Sequence, residues 1–246
     1  AARRLEAYLA AEAGRRLSPL KRLQDALADG SLKGIARGIA FRLVEAGGVL
    51  ARRDVEQEVR ALSHTERRTL RSLGVRFGAF SLFLPRLLKP DARAHLAAYA
   101  TIEAPSWSPP EDRLSPLPVE RLSPRLLAAR GLRAVGRYAA PVEMLERLDA
   151  LLRAGGAVKG PRRLSDQARE ELGWTQDEAD AVMRALNFAP AARPAAGEPS
   201  AWRQRRPKAD SVAPPPDSPF AALAALKPEE PPRRHRRSRR RRAGAP

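Results

Sequence analysis

The sequence predicts a mostly α-helical protein with one small β-hairpin and a disordered basic tail. Apolar residues recur at helical spacing over most of residues 1–190. A short aromatic segment at 75–84 alternates in the way that paired strands do. The last part, residues 191–246, is rich in Pro and Arg and poor in large apolar residues, a composition that does not support a packed core.

Residues 1–100 are expected to form a helical domain, because signals for helix starts recur along them. Ser18 is predicted to be the N-cap of a helix in which Pro19 occupies the first position. Ser31 is predicted to cap the next helix. Ser63 and Glu66 have the spacing of a capping box, which predicts another helix immediately after Ser63.

The hairpin is predicted within LRSLGVRFGAFSLFLPRLLKP, residues 70–90. Three of the six Phe residues of the chain fall within seven positions of it: Phe77, Phe80 and Phe83. Apolar residues alternate about a possible turn at Gly78, which predicts two short strands over 75–84. A two-stranded hairpin is marginally stable alone, so this one must pack on the helices. It is either a hydrophobic plug that closes the helical domain, or the wing of a winged helix in which Arg76 and Arg86 contact nucleic acid.

Two further regions precede the tail. Residues 101–140 are rich in proline and are predicted to be an extended connector, which Trp107 could pin to a domain surface. Residues 141–190 predict a three-helix, helix-turn-helix-like module with a second capping box at Thr175 and Glu178. Its last helix, QDEADAVMRAL, has three acids and one Arg, which opposes binding to duplex phosphates and favours a protein-packing role.

The charge of the chain points to a polyanionic partner. Lys and Arg number 46 against 28 acidic residues, a net charge of +18. Forty of the 46 are Arg, which a GC-rich genome could favour without selection for binding, so their position is more informative. Residues 191–246 hold 14 basic and 5 acidic residues, a net charge of +9 in less than a quarter of the chain.

The tail is therefore predicted to bind single-stranded RNA or DNA through two basic clusters, as arginine-rich segments do. The candidate nucleic-acid-binding residues are Arg203, Arg205, Arg206, Lys208, Arg233, Arg234, Arg236, Arg237, Arg239, Arg240, Arg241 and Arg242. A solubilising tail or a nuclear-type address is the alternative. Between the clusters, DSPFAALAALK predicts a short helix at 218–227 that folds against a protein surface. Its candidate partner-binding residues are Phe220, Leu223 and Leu226.

No catalytic arrangement is visible. The chain has no Cys, and its three His residues, at positions 64, 95 and 235, are far apart, so no metal site is predicted. The letters DEAD at 177–180 begin a capped helix, and no G-x-x-x-x-G-K-[ST] loop occurs, so we interpret them as a coincidence. We expect this chain to use no cofactor and neither to bind nor to hydrolyse ATP. No segment has the length and hydropathy of a membrane span, and no signal-peptide pattern opens the chain.

Four segments carry a resemblance to a known family. GIARGIAFRLVEAGGVLARRDVEQEVRAL (residues 34–62) and the segment at 70–90 resemble the C-terminal region of bacterial helicases related to the mitochondrial degradosome RNA helicase. These are alphaproteobacterial-type superfamily-two enzymes. ELGWTQDEADAVMRALNF (171–188) and DSPFAALAAL (217–226) are similar to the ends of that family.

The resemblance implies a parent that unwinds RNA or DNA with ATP and magnesium, and whose motor domains lie in cis beside a helical accessory region. Neither motor domain is in this sequence, and the first residues have the pattern of a helix interior, so we expect a C-terminal fragment. The expected function is that of an accessory and nucleic-acid-tethering region of a cytoplasmic helicase. The alternative is a stand-alone, non-enzymatic basic protein that binds RNA or associates with the ribosome.

Overall fold

The structure is a computed structural model that describes residues 2–103, 107, 109–110, 112–118, 122–155, 161–191 and 201–205. All of these residues belong to one compact unit, Ala1–Arg205. The described chain is mostly helical, and its strands form three small antiparallel sheets. None of its helices is long and apolar enough to cross a membrane.

The elements of the first half are bounded as follows. The helices are α1 (Ala2–Arg16), α2 (Ser18–Ala28), α3 (Gly34–Glu45), α4 (Glu56–Ala61), α5 (His64–Ser72) and α6 (Pro90–Glu103). The strands are β1 (Val49–Ala51), β2 (Arg76–Phe77) and β3 (Ser81–Phe83). Short 3-10 helices lie at Arg52–Val55 and Pro85–Leu88.

The second half continues the numbering. The helices are α7 (Pro124–Ala129), α8 (Val142–Ala154), α9 (Asp166–Glu171) and α10 (Gln176–Ala185). The strands are β4 (Ser115–Pro116), β5 (Leu132–Val135), β6 (Tyr138–Pro141), β7 (Arg162–Arg163), β8 (Phe188–Pro190) and β9 (Ala201–Gln204).

The first half contains a winged-helix arrangement over residues 34–83. Helix α3 leads into β1, the helix pair α4–α5 follows, and β2 and β3 return as a hairpin. The strand order is β1-β3-β2, with Val49 opposite Phe83 and Phe77 opposite Leu82. We call this the N-terminal winged-helix unit. Leu70 of α5 and Leu82 of β3 are fully buried in its core.

Residues 142–204 repeat the same arrangement. Helix α8 leads into β7, the helix pair α9–α10 follows, and β8 and β9 complete a sheet of order β7-β9-β8. We call this the C-terminal winged-helix unit. Its core contains Trp174, Val182, Phe188 and Trp202. The chain therefore contains the same order of helices and strands twice.

The segment at 101–140 differs from the extended connector that the sequence predicts. Strands β4, β5 and β6 form the third sheet, of order β4-β6-β5, and α7 precedes β5. Leu127 and Leu132 are buried in a small core on which Trp107 packs, with the Arg130 guanidinium 5.6 Å from the Trp107 ring centroid. The short apolar strands are joined by a turn at Gly136, whose φ of 60° favours glycine. The sequence-based prediction missed these strands because it relied on the high proline content of the segment, which is typical of extended connectors.

The folded chain also extends beyond residue 190, where the sequence places the start of the disordered tail. Residues 201–204 form β9, the central strand of its sheet, and Trp202 is only 2% exposed. Burial of one large aromatic side chain and pairing on both edges stabilise this strand despite the polar sequence around it. The predicted short helix at 218–227 lies outside the described residues.

Both predicted capping boxes are formed. The Ser63 hydroxyl accepts from the Glu66 backbone N–H at 3.2 Å, and the Glu66 carboxylate accepts from the Ser63 backbone N–H at 2.9 Å. Thr175 and Glu178 make the same reciprocal bonds at the start of α10. Two other predicted caps are wrong. Ser31 is not the N-cap of α3, because its hydroxyl donates to the Ala26 carbonyl at 3.2 Å and the helix begins three residues later. Ser18 is the first residue of α2 and not its N-cap, which is Leu17.

Candidate nucleic-acid interface

The three clustered phenylalanines of the hairpin pack into three different cores. Phe77 packs against the core of the N-terminal winged-helix unit. Phe83 lies with Val49 and Val142 in a small cluster between the two units. Phe80 enters the core of the C-terminal unit, where its ring meets Phe188 edge to face at 6.2 Å. The hairpin therefore joins the two units.

Polar contacts fix the hairpin turn against the C-terminal unit. The Glu146 carboxylate of α8 accepts from the backbone N–H groups of Ala79 and Phe80, at 2.7 and 3.3 Å. The Arg52 guanidinium donates to the Gly78 carbonyl at 2.7 Å. Bonds that involve an ionised group are stronger than neutral ones, so these contacts hold the turn in place.

Arg133 of β5 completes this clamp from the third sheet. Its guanidinium donates to the Phe80 carbonyl and, at 3.0 Å, to the Ser81 hydroxyl. Burial lowers the pKa of Arg133 to about 10, with a smaller contribution from the nearby Arg53 charge. The guanidinium therefore stays charged at neutral pH. We call the contacts of Arg52, Arg133 and Glu146 with residues 78–81 the hairpin clamp.

The clamp restricts the wing interpretation of the hairpin. In a nucleic-acid-binding wing the turn projects into solvent, but here Gly78 and Phe80 are buried. Arg76 and Arg86, the two arginines of that interpretation, are exposed on either side of the hairpin. The turn is therefore buried inside the protein, as the hydrophobic-plug interpretation expects, and does not project into solvent.

Gly78→Ala should lower the free energy of unfolding by roughly 1–3 kcal/mol, because the Glu146 carboxylate must move and leave the Ala79 and Phe80 N–H groups without their acceptor. A Cβ atom at this position would stand closer to the Glu146 carboxylate than real Cβ atoms approach any neighbour. Urea unfolding followed by circular dichroism measures the change.

The matched control is Gly38→Ala in α3, where nothing lies within 4 Å of the added Cβ. That change should stabilise the protein by up to about 1 kcal/mol, because alanine favours a helix over glycine. If the two substitutions had equal effects, the turn would not be tightly clamped.

The predicted helix-turn-helix of residues 141–190 corresponds to α9 and α10. Helix α10 presents Asp177 to solvent, and Asp180 forms an ion pair with Arg184 at 3.0 Å. Its one basic residue is thus partly neutralised. The face of α10 that would enter a groove in a DNA-binding protein is acidic, which opposes contact with phosphates.

The first two residues of the predicted nucleic-acid-binding set lie on the folded unit. Arg203 of β9 is exposed, next to the buried Trp202. Because alternate residues of a strand face opposite sides, Arg203 lies on the outer face of the sheet. Arg205 is also exposed, and its backbone N–H donates to the Asn187 carbonyl at 2.9 Å. This hydrogen bond holds the end of β9 beside Asn187, where both Arg203 and Arg205 are exposed.

The structure adds one basic residue to this surface that the sequence analysis does not select. Arg163 of β7 pairs in register with Ala201, so it shares the outer face with Arg203. It is exposed and has no ion pair within the described residues. Its neighbour Arg162 is instead paired with Asp149 at 3.1 Å. The two-residue length of β7 leaves no periodicity that could have identified Arg163.

The remaining candidate residues lie outside the part of the chain that the structure describes. These are the basic residues from Arg206 to Arg242 and the apolar set Phe220, Leu223 and Leu226. Among the described residues, no group of three or more His, Asp or Glu side chains could hold a metal ion.

A second basic surface lies on the N-terminal unit and is also absent from the sequence-based set. Helix α5 contains Arg67, Arg68 and Arg71 with one acid, Glu66. The excess of acidic residues in α10 opposes contact with phosphates, whereas the excess of Arg in α5 favours it. The segment HTERRTLRS, residues 64–72, has three Arg and one acid, so the sequence alone could have identified it as a candidate basic surface.

Comparison with known proteins identifies no relative. No family model, no curated protein and no solved structure matches this chain.

Proposed function

We propose that this chain is a nucleic-acid-tethering accessory region of an ATP-dependent RNA or DNA helicase. The observation that carries the proposal is the basic outer face of the sheet formed by β7, β8 and β9. Arg163, Arg203 and Arg205 are exposed there, and the chain continues directly into Arg206 and Lys208. A folded basic surface that continues into an arginine-rich segment is suited to following a phosphate backbone.

The mechanism of tethering is electrostatic. Each phosphate that a guanidinium neutralises releases condensed counterions, so binding is favoured by the entropy of the released ions and weakens as salt is added. Arg side chains also stack on unpaired bases, which gives single strands an advantage over duplexes. Recognition of this kind needs no base sequence, and the ligand is proposed to be single-stranded RNA or DNA.

The helicase part of the proposal rests on the resemblance of residues 34–62, 70–90, 171–188 and 217–226. Motor domains in cis would bind ATP and magnesium in the cytoplasm, while this chain would hold the nucleic acid near them. A cleft of about 300 Å³ between α1, α6 and α7 is lined by apolar residues including Leu17, Leu96 and Leu126. Such a surface is available for packing against a neighbouring domain.

A salt titration tests the tether. The full chain is compared with a full-length variant in which every Lys and Arg after Arg205 is replaced with Gln, using a labelled 20-nucleotide single-stranded RNA. The variant should bind far more weakly, and its slope of log affinity against log salt should fall by about 0.7 for each phosphate that is no longer neutralised.

A second variant, Arg163→Gln with Arg203→Gln, separates the folded surface from the segment that follows it. It should reduce the slope by about 1.4. Equal slopes for all three proteins would contradict the proposed tether. Weaker binding by the sheet variant alone would place the binding site on the folded surface.

A further inference from the structure

The exposed face of α5 is polar and carries no carboxylate. The five solvent-exposed residues of this helix are His64, Thr65, Arg68, Arg71 and Ser72. At 100° per residue these positions fall within one sector of the helix, opposite the buried Leu70. The face therefore offers hydrogen-bond donors and two positive charges over two turns.

The two charges on this face are not neutralised by a carboxylate of the described residues. Within the described part of the chain, Arg68 and Arg71 form no ion pair, whereas nearby arginines do. Arg52 and Arg60 both pair with Glu56, at 2.9 and 3.0 Å. A guanidinium without a carboxylate partner is free to neutralise a phosphate or to bind a guanine edge.

Phe77 of β2 orients part of this surface. The guanidinium carbons of Arg67 and Arg71 lie 5.6 and 5.7 Å from the centroid of the Phe77 ring. Cation–π contacts of this kind hold a long side chain without neutralising its charge. Arg71 is thus positioned by the hairpin while its positive charge remains available.

The only acid of α5 is directed away from the exposed face. Glu66 closes the capping box with Ser63, and hydrogen bonds from the Ser63 backbone and hydroxyl hold the pKa of the Glu66 carboxyl below its usual range. Its carboxylate also lies 3.3 Å from the position of a Cβ on Gly34, at the start of α3. The negative charge therefore lies between the first turns of α5 and α3 and is not part of the exposed face.

The corresponding helix of the second unit has the opposite character. Both helices begin after a capping box, so Arg68 in α5 corresponds in position to Asp180 in α10. The two units share the same order of elements, but at this position α5 has a positive charge and α10 has a negative one. One of the two faces is compatible with a polyanion and the other is not.

We infer that the exposed face of α5 binds double-helical DNA by entering the major groove as the second helix of a helix-turn-helix. The B-form major groove admits an α-helix, whereas the deep, narrow major groove of A-form RNA does not. Arg68 and Arg71 contact phosphates or base edges at the groove. This site is separate from the proposed single-strand tether and goes beyond it.

The hairpin clamp defines the extent of the DNA-binding surface. Since the turn at 78–80 is held by Glu146, the hairpin does not reach the adjacent groove as a free wing would. The surface that meets DNA is limited to α5 and its immediate flanks. A small footprint of this kind predicts that few phosphates are neutralised.

The test compares two full-length variants with equal loss of charge. Arg68→Gln with Arg71→Gln removes the α5 charges. Lys21→Gln with Arg22→Gln removes two exposed charges from α2, which likewise have no ion pair among the described residues. Each protein is titrated with a 20-base-pair DNA duplex and with one of its single strands over a range of salt concentrations. Thermal melting by circular dichroism checks that both variants are folded.

We expect the α5 variant to bind the duplex more weakly, with a log-log salt slope reduced by about 2 and with unchanged single-strand binding. The α2 variant should bind both ligands like the parent chain. The inference is overturned if the two variants weaken duplex binding equally, or if the α5 variant binds single strands and duplexes more weakly to the same extent. A parallel titration uses a 20-base-pair RNA duplex, and the inference is also overturned if the α5 variant binds that duplex more weakly but binds the DNA duplex normally. None of these outcomes changes the result expected for the tether, which depends on Arg163, Arg203 and the basic residues that follow them, and not on α5.

Discussion

Replacing Trp202 with alanine should lower the free energy of unfolding by roughly 3–5 kcal/mol, the usual range for truncating a large buried aromatic side chain. Trp202 lies in the core of the C-terminal winged-helix unit and is 2% exposed. It stands on β9 between Arg162 of β7 and Pro190 of β8. The substitution leaves a cavity and removes the main apolar side chain that holds the central strand, so equilibrium unfolding in urea, followed by far-ultraviolet circular dichroism, should show the full effect.

The control is the next residue of the same strand. Arg203→Ala removes an exposed side chain and should change stability by no more than about 0.5 kcal/mol. If Trp202→Ala were equally mild, β9 would contribute little to the fold. The folded unit would then end near residue 190, where the sequence places the start of the tail.

Phe80→Ala should also cost roughly 3–5 kcal/mol, because this ring joins the hairpin of one unit to the core of the other. Its edge-to-face contact with Phe188, at an interplanar angle of 72°, adds a specific interaction. A double-mutant cycle with Phe188→Ala should give a coupling energy of about 0.5–1.5 kcal/mol. Urea unfolding of the two single variants and the double variant provides the measurement.

Phe41 is a suitable control for Phe80, since its side chain is 57% exposed on α3. Phe41→Ala should change stability by about 0.5 kcal/mol or less. A Phe80→Ala protein that keeps its melting temperature but binds nucleic acid more weakly would restore the wing interpretation and contradict the structural role.

Local signals in the sequence predicted several elements. The spacing of Ser63 and Glu66, and of Thr175 and Glu178, predicts two helix starts because a capping box depends only on residues three apart. The alternation at 75–84 likewise predicts a hairpin, and β2 and β3 pair in that interval. These features are determined within a few residues, so periodicity and capping are enough to find them.

The sequence did not predict where these elements pack. Phe77, Phe80 and Phe83 are neighbours in sequence, yet each enters a different core. Those destinations depend on residues far along the chain, such as Phe188, and no local pattern contains that information. The strands β4 and β7 are two residues long, too short to show alternation.

The repeat of the winged-helix arrangement was not predicted from the sequence for a different reason. Leu70 of α5 and the corresponding Val182 of α10 are both buried, but the exposed Arg68 of α5 corresponds to Asp180, which has the opposite charge. A repeat that keeps only its apolar spacing gives weak sequence similarity. Strand β9 was missed because the prediction of a disordered tail rests on the average composition of residues 191–246. One tryptophan among many Pro and Arg residues does not alter that average.

The hairpin clamp has a consequence for synthesis of the protein. Glu146 is 67 residues downstream of Ala79, and its carboxylate accepts from the Ala79 backbone N–H. At typical translation rates that separation corresponds to about 3–13 seconds. Throughout this interval the turn has left the ribosome while the α8 carboxylate and the Phe188 ring that cover it have not. The nascent N-terminal half therefore contains Phe80 before its partner Phe188 has been synthesised, and the ring can be buried only after both α8 and β8 have emerged.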